Sequence, residues 1–458
     1  MCGVLLSSAG CLPDLADDPG DKSAVPPDED EATFTPGDPG SVTPNPHNTS
    51  GPVSAATAVD VLFMIDNSGS MSEEQKKISA ILDEIVQSLG QGRKARGDDP
   101  GFPGAESLHI AVVSSDMGVN GAPSQKSCGS LSFLPDERSP TTANTFLNKP
   151  KGDDGIFQTS TTVAVQGIWG SLTPGGEPAE LVAGDPSCAN VAFPDGQRFI
   201  DLAAGDDALV AAQAFRCVAK LGKNGCGLEQ PLESVLKALT SPDSSLRFTS
   251  NSKGQGEAWG AHTVSGPNAG FLRDEAVLVV VFLTDEEDCS VPDSSNAMFD
   301  AMSTVIAGEI NVRCGMPENQ HFLHSVRERY VAGLKALKPA RYQDRIVVAS
   351  IVGVPMAGTS GSAVHSGSDA IELLLARPDM QFGVRRNAAM TADEPVASCV
   401  SASGDGSAAP ARRYLELAEA FGDNGLVTSI CEDQYGAIAE AVIGRVGAQL
   451  RAGDEAVK

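Results

Sequence analysis

Val59–Met71 reads V-D-V-L-F-M-I-D-N-S-G-S-M, and this stretch decides the fold. Val59 to Ile65 is almost all apolar and rich in β-favouring types, which predicts a strand buried on both faces of a parallel sheet. Asp66-Asn67-Ser68-Gly69-Ser70 are turn formers and end it. Ile78, Ile81, Leu82, Ile85 and Leu89 then recur at helical spacing. Ser72 with Gln75, or Ser70 with Glu73, can form the capping box of that helix. The order is strand, short polar loop, helix N-terminus. Asp66, Ser68 and Ser70 are therefore expected at the carboxyl end of a central strand, where open α/β sheets place their ligands.

One carboxylate and two hydroxyls are hard oxygen donors, suited to Mg²⁺, Mn²⁺ or Ca²⁺ rather than zinc or copper. The pattern D-x-S-x-S behind an apolar strand resembles the metal-ion-dependent adhesion site of von Willebrand factor A (VWA) domains. That family adds a threonine from a second loop and an aspartate at the end of a later strand. Val277–Thr284, V-L-V-V-V-F-L-T, followed by Asp285, is similar to that later strand. The resemblance implies a doubly wound, mostly parallel α/β sheet of Rossmann-like kind, with helices on both faces. It implies one divalent cation, Mg²⁺ first and Ca²⁺ or Mn²⁺ as substitutes, held by Asp66, Ser68, Ser70 and Asp285. It also implies a protein partner that offers an acidic side chain to the metal. The family threonine should precede the helix marked by Leu228, Leu232, Val235, Leu236 and Leu239. Gly225-Cys226-Gly227-Leu228-Glu229 stands there instead, so Glu229 or a water is the candidate fifth ligand. The plain alternative is that residues 66–70 are only a turn with a helix cap. Glu286-Glu287-Asp288, next along, is read as a solvated acidic run, with a second, calcium-type ion as the other reading.

The formal net charge of −27 leaves nothing basic enough to displace counterions from nucleic acid, and it disfavours docking on an anionic membrane. Ten cysteines are too many for a reducing cytosol in the absence of metal-type Cys spacing, and they predict an extracytoplasmic address. Taken in chain order, eight of them pair as Cys128–Cys188, Cys217–Cys226, Cys289–Cys314 and Cys399–Cys431. Residues 1–11 resemble the end of a bacterial lipoprotein signal, with Ser8-Ala9-Gly10-Cys11 as the lipobox and Cys11 as the lipidated residue. The segment departs from that pattern in lacking a basic start, in its short apolar core, and in Ser8. Membrane contact is expected only through this anchor, at the outer membrane, the cell surface or in the periplasm.

Residues 12–56 are acidic and rich in Pro and Gly, and cannot bury enough apolar surface to fold. As a disordered tether they would reach roughly 35–40 Å. The domain is expected over 57–452, with polar insertions at about 115–226 and 356–411. Arg96-Gly97-Asp98 is read as a chance tripeptide. Leu108–Ser114 and Arg345–Val354 are further strands, His109 being packed within the first. His321 and His324 are read as surface residues at the start of a helix that carries Phe322, Val326, Tyr330, Leu334 and Leu337. Leu426–Cys431 is the last strand, and Tyr435 to Leu450 the last helix.

These features predict a non-catalytic, metal-dependent binding or adhesion protein of the bacterial cell envelope. An envelope scaffold with a degenerate metal site is the alternative, and a metal-dependent hydrolase the third reading. A phosphatase of the haloacid dehalogenase type needs a second acid two residues after the first, where Ser68 stands. Neither a G-x-S-x-G elbow nor an H-E-x-x-H motif is present.

Overall fold

The computed structural model describes residues 55–71, 74–92, 104–117, most of 153–159, 188 and most of 191–221, 227–300 with short breaks, 303–356, and 364–451 apart from 405. The lipobox with Cys11, the tether as far as residue 54, the Arg-Gly-Asp tripeptide, Cys128, Cys226 and both proposed capping-box partners Ser72 and Glu73 lie outside them. Ala56, at the tether's end, is buried and its amide donates to the Gln449 carbonyl at 3.2 Å.

β1 (Ala58–Ile65) is fully buried from Val59 onward and pairs in parallel on both sides. Its neighbours are β2 (Ser107–Ser114) and β4 (Val277–Leu283). β5 (Ile346–Val352) follows β4, and β7 (Gly425–Ser429) follows β5, both in parallel. Short antiparallel strands close the two edges: β3 (Ile200–Ala203) beside β2, and β6 (His365–Ser366) beside β7. The sheet order is thus β3-β2-β1-β4-β5-β7-β6.

The period of two along β1 assigns its side chains to two cores. Val59, Val61, Phe63 and Ile65 pack with α1 (Glu74–Gln91), α2 (Ala208–Val218) and α7 (Gly436–Arg451). Leu62 and Met64 face the other way, toward α3 (Pro231–Leu239), α5 (Ser368–Leu375) and α6 (Arg412–Glu419). A short α4 (Ala332–Ala336), entered through a π-helical turn at Val326–Val331, joins this second layer. Helices on both faces explain why the central strands read as almost wholly apolar runs. Each fully buried aliphatic side chain in them contributes roughly 1.5–3 kcal/mol.

Both expected insertions contribute to this frame. β3 and α2 fall within residues 115–226, and β6 and α5 within 356–411. A strand of two or four residues is too short to show a period, and so neither edge was visible in the pattern. The return of the second insertion lies along the carboxyl rim of the sheet, Ala411 N–H donating to the Gly353 carbonyl at 3.1 Å. A Cβ on Gly353 would collide with the Ala409 carbonyl, so only glycine allows this approach.

Chain order failed for half of the cysteines. Cys188 pairs with Cys217, Cα atoms 5.7 Å apart, which rules out both Cys128–Cys188 and Cys217–Cys226. Cys217 lies in α2 and its partner stands 29 residues earlier, ahead of β3. Cys289–Cys314 and Cys399–Cys431 form as expected. Among the described residues no helix is long and apolar enough to cross a membrane.

Candidate functional site

β1 and β4 run side by side with Ile65 opposite Leu283. The Asp66 amide donates to the Leu283 carbonyl at 2.9 Å. Asp66 and Asp285 therefore leave the sheet on the same rim. The Asp66 carboxylate is fully buried and turns into its own loop. Its Oδ1 accepts from the Ser68 amide at 2.8 Å and from Ser115 Oγ at 3.2 Å. Its Oδ2 accepts from Thr284 Oγ1 at 2.7 Å.

The Ser68 and Ser70 hydroxyls stand 3.3 Å apart, and Ser70 Oγ donates to Asp285 Oδ1 at 3.0 Å. The four expected donors, Asp66, Ser68, Ser70 and Asp285, thus form one hydrogen-bonded run. Gln75, at the start of α1, braces the loop by donating to the Asp66 carbonyl at 2.9 Å. Ala409 braces the other side, its amide donating to the Asp285 carbonyl at 2.9 Å. Ser115 and Thr284 had no role in the sequence reading. Thr284 is the last residue of the quoted strand and Ser115 directly follows β2, so strand-end position alone was the available signal.

The site is short of positive charge. Burial pushes the Asp66 carboxyl up, against hydrogen bonds from Ser68, Thr284 and Ser115. Asp285 is pushed well up by burial first, then by Asp66 and Glu286. Burial, with Asp66 adding to it, raises Glu286 to about 7. Glu229 lies well above its ordinary value through burial, Glu286 and Asp66. Carboxylates that raise one another in this way suit a bound cation. The donors are hard oxygens, as Mg²⁺ or Ca²⁺ requires, so the residues present fit such an ion. Among the described residues no three His, Cys, Asp or Glu side chains gather into a metal cluster by themselves. An ion on this rim would therefore depend on the serine hydroxyls.

Glu229 is not part of the hydrogen-bonded run. It stands beside Glu286, whose charge helps to push its carboxyl up, and lines a small cavity that Asp66, Ser68, Ser70 and Asp285 do not line.

The acidic loop behind Asp285 is not solvated, contrary to expectation. Glu287 accepts from the amides of Arg412 at 2.7 Å and Arg413 at 3.2 Å. Asp288 caps α3 through the Leu232 amide at 3.0 Å and pairs with Arg413 Nε at 3.0 Å. Both acids are buried. They pin α3 and α6 to the end of β4, a task that a charge run in sequence does not reveal.

His324 also differs from its expected surface position. Its side chain is 19% exposed and lies 4.0 Å from Glu233, which Arg329 holds at 2.6 Å. Burial pushes the His324 imidazole down to about 4; Glu233 opposes this, and Arg329 and Arg413 reinforce it. The folded value lies below the ordinary 6.5, so the unfolded chain takes up a proton first as pH falls. Stability present above about pH 6.5 is then lost on the way to about pH 4. Between pH 7 and 5 the wild type should lose about 2 kcal/mol relative to His324→Gln, read by urea unfolding at each pH. Equal pH slopes for the two proteins would refute this.

Fold and site together define an α/β protein with a rim cluster of hard oxygen donors. Compared with protein-family models, curated proteins and solved structures, the chain finds no match.

Proposed function

We propose that this chain is a non-catalytic, cation-dependent binding protein of the VWA type, acting outside the cytoplasm at a bacterial envelope. The observation that carries it is the run from Asp66 through Ser68 and Ser70 to Asp285 on one rim. A Mg²⁺ held there would offer Lewis-acid binding to the carboxylate of a protein partner. Asp66 is preset for this by the Ser68 amide, Ser115 and Thr284, so little order is lost when the ion binds. Ser70 is exposed, which gives the cluster an outlet to solvent. The second insertion, bound to Asp285 and to Gly353, contributes to the surface that a partner would meet. Three disulfides among the described residues suit an oxidising compartment. Cys11 remains the proposed lipid anchor.

A scaffold with a vestigial metal site has one observation in its favour. Both Asp66 oxygens already accept from protein donors. Calorimetric titration of the full chain with Mg²⁺ separates the two readings. The binding reading expects heat of binding and a Mg²⁺-dependent rise in melting temperature. It also expects a chelator-sensitive partner in pull-downs from cell envelopes. Absence of heat and of stabilisation would leave the scaffold.

A further inference from the structure

The cavity beside Glu229 joins two kinds of wall. Glu229 and Glu286 line it together with Leu228, Ile310, Phe382 and Pro395. Its free volume is about 20 Å³, room for one water-sized group. Glu229 is 2% exposed, whereas Ile310, Phe382 and Pro395 are half-buried, so the carboxylate lies deeper than the apolar rim. Glu229 Oε1 is buried without a hydrogen-bond partner. A buried carboxylate oxygen left in this way costs about 1–3 kcal/mol or more, and some donor is called for. Glu287 also lines the cavity, but its oxygens are taken by the amides of Asp288, Arg412 and Arg413.

We propose that this cavity is a subsite for a lysine side chain of a protein partner, its ammonium meeting Glu229 and Glu286 and its methylenes lying against Ile310, Phe382 and Pro395. A divalent ion suits the place poorly. It would want six or more oxygens; of the three acids on the wall Glu287 is already taken by backbone amides, and no three-acid metal cluster gathers among the described residues. An ammonium is compact and carries three donors on an apolar stem, whereas the planar guanidinium of arginine exceeds a water-sized space. The net charge of −27 would steer a basic segment toward the protein. The inference does not rest on the metal reading, since neither Asp66 nor Asp285 lines the cavity.

The test uses the full chain and three probes: the Nα-acetyl amides of lysine, arginine and norleucine. Binding is followed by NMR titration in Mg²⁺ and again in chelator. The expected result is saturable binding of the lysine amide in both buffers, with the norleucine and arginine amides at least about tenfold weaker. Glu229→Gln keeps size and shape, and should weaken the lysine amide by about tenfold or more with an unchanged melting profile. Glu286→Gln is the second variant, should Glu229→Gln fail to fold. Norleucine binding as well as lysine, indifference to both variants, or Ca²⁺ displacing the lysine amide at one ion per chain would each overturn the proposal. Mg²⁺ heat without lysine binding sinks only the subsite; lysine binding without Mg²⁺ heat sinks only the metal reading.

Discussion

Asp66→Asn should lower Mg²⁺ affinity by about a hundredfold or more while the metal-free protein stays at least as stable as the wild type. Both halves follow from the same geometry. Asparagine keeps an oxygen for the Ser68 amide and Ser115, and its Nδ2 can donate to Thr284 Oγ1, which now accepts. Shape and hydrogen bonds survive, and only charge is lost. In the metal-free protein that charge is unfavourable, because burial already pushes the Asp66 carboxyl up and Asp66 in turn raises Asp285, Glu286 and Glu229. Removing it relieves all of them. On the proposed reading the lost carboxylate would be a direct ligand of Mg²⁺, and even outer-shell partners of a metal are worth 10–100-fold. Thr284→Val, which removes only a support, should cost about tenfold. Melting curves with and without Mg²⁺ give the stability half, since a ligand at about 100 times its Kd adds roughly 2.7 kcal/mol. Calorimetry gives the affinity half. An Asp66→Asn protein that binds Mg²⁺ as the wild type does would remove the rim cluster from consideration.

What the sequence disclosed follows the range of its signals. β1 and β4 are predominantly apolar runs that end in polar residues, and parallel pairing of two such strands puts both ends on one rim. The convergence of Asp66, Ser68, Ser70 and Asp285 was legible for that reason. The edges of the sheet were not, because His365–Ser366 is too short to show alternation. Nor was the burial of Glu287 and Asp288, whose partners Arg412 and Arg413 lie far along the chain. The same holds for His324, which Glu233 and Arg329 enclose from other elements. Charge in sequence says nothing of a partner that only tertiary folding supplies. Cysteine pairing failed similarly at Cys188 and Cys217, which tertiary folding joins across 29 residues. Asp60 is the clearest case: it is a lone acid inside an otherwise apolar strand, and its partner Arg273 lies 213 residues further along the chain.

Arg273→Ala should destabilise the fold by about 3–5 kcal/mol, through Asp60 and far from the candidate metal rim. Asp60 is fully buried in β1, near its amino end. Six residues separate it from Asp66, a distance of ~20 Å along the strand. Its Oδ1 accepts from Arg273 Nε at 2.8 Å and pairs with Nη2 at 2.6 Å, and its Oδ2 accepts from the Arg273 amide at 2.9 Å. The same guanidinium donates to Ser107 Oγ at 2.6 Å and to the Val59 carbonyl at 2.9 Å, tying β1 to β2. Lys338 adds a charge-assisted bond to the Ala276 carbonyl at 2.9 Å beside them. Burial nevertheless raises the Asp60 carboxyl, with Arg273 and Lys338 acting to lower it. Truncating Arg273 leaves a buried acid with the residue 273 amide as its one close donor and only the more distant Lys338 and His109 as charges, and it removes the guanidinium bonds to Ser107 and the Val59 carbonyl as well. Urea unfolding measures the loss, while Mg²⁺ affinity should stay unaltered because the rim cluster is untouched. The double change Asp60→Leu with Arg273→Met should recover most of the stability, since apolar packing can replace a buried ion pair that loss of one partner ruins. A loss below about 1 kcal/mol for Arg273→Ala, or no recovery in the double variant, would show that the pair does not hold this end of the sheet.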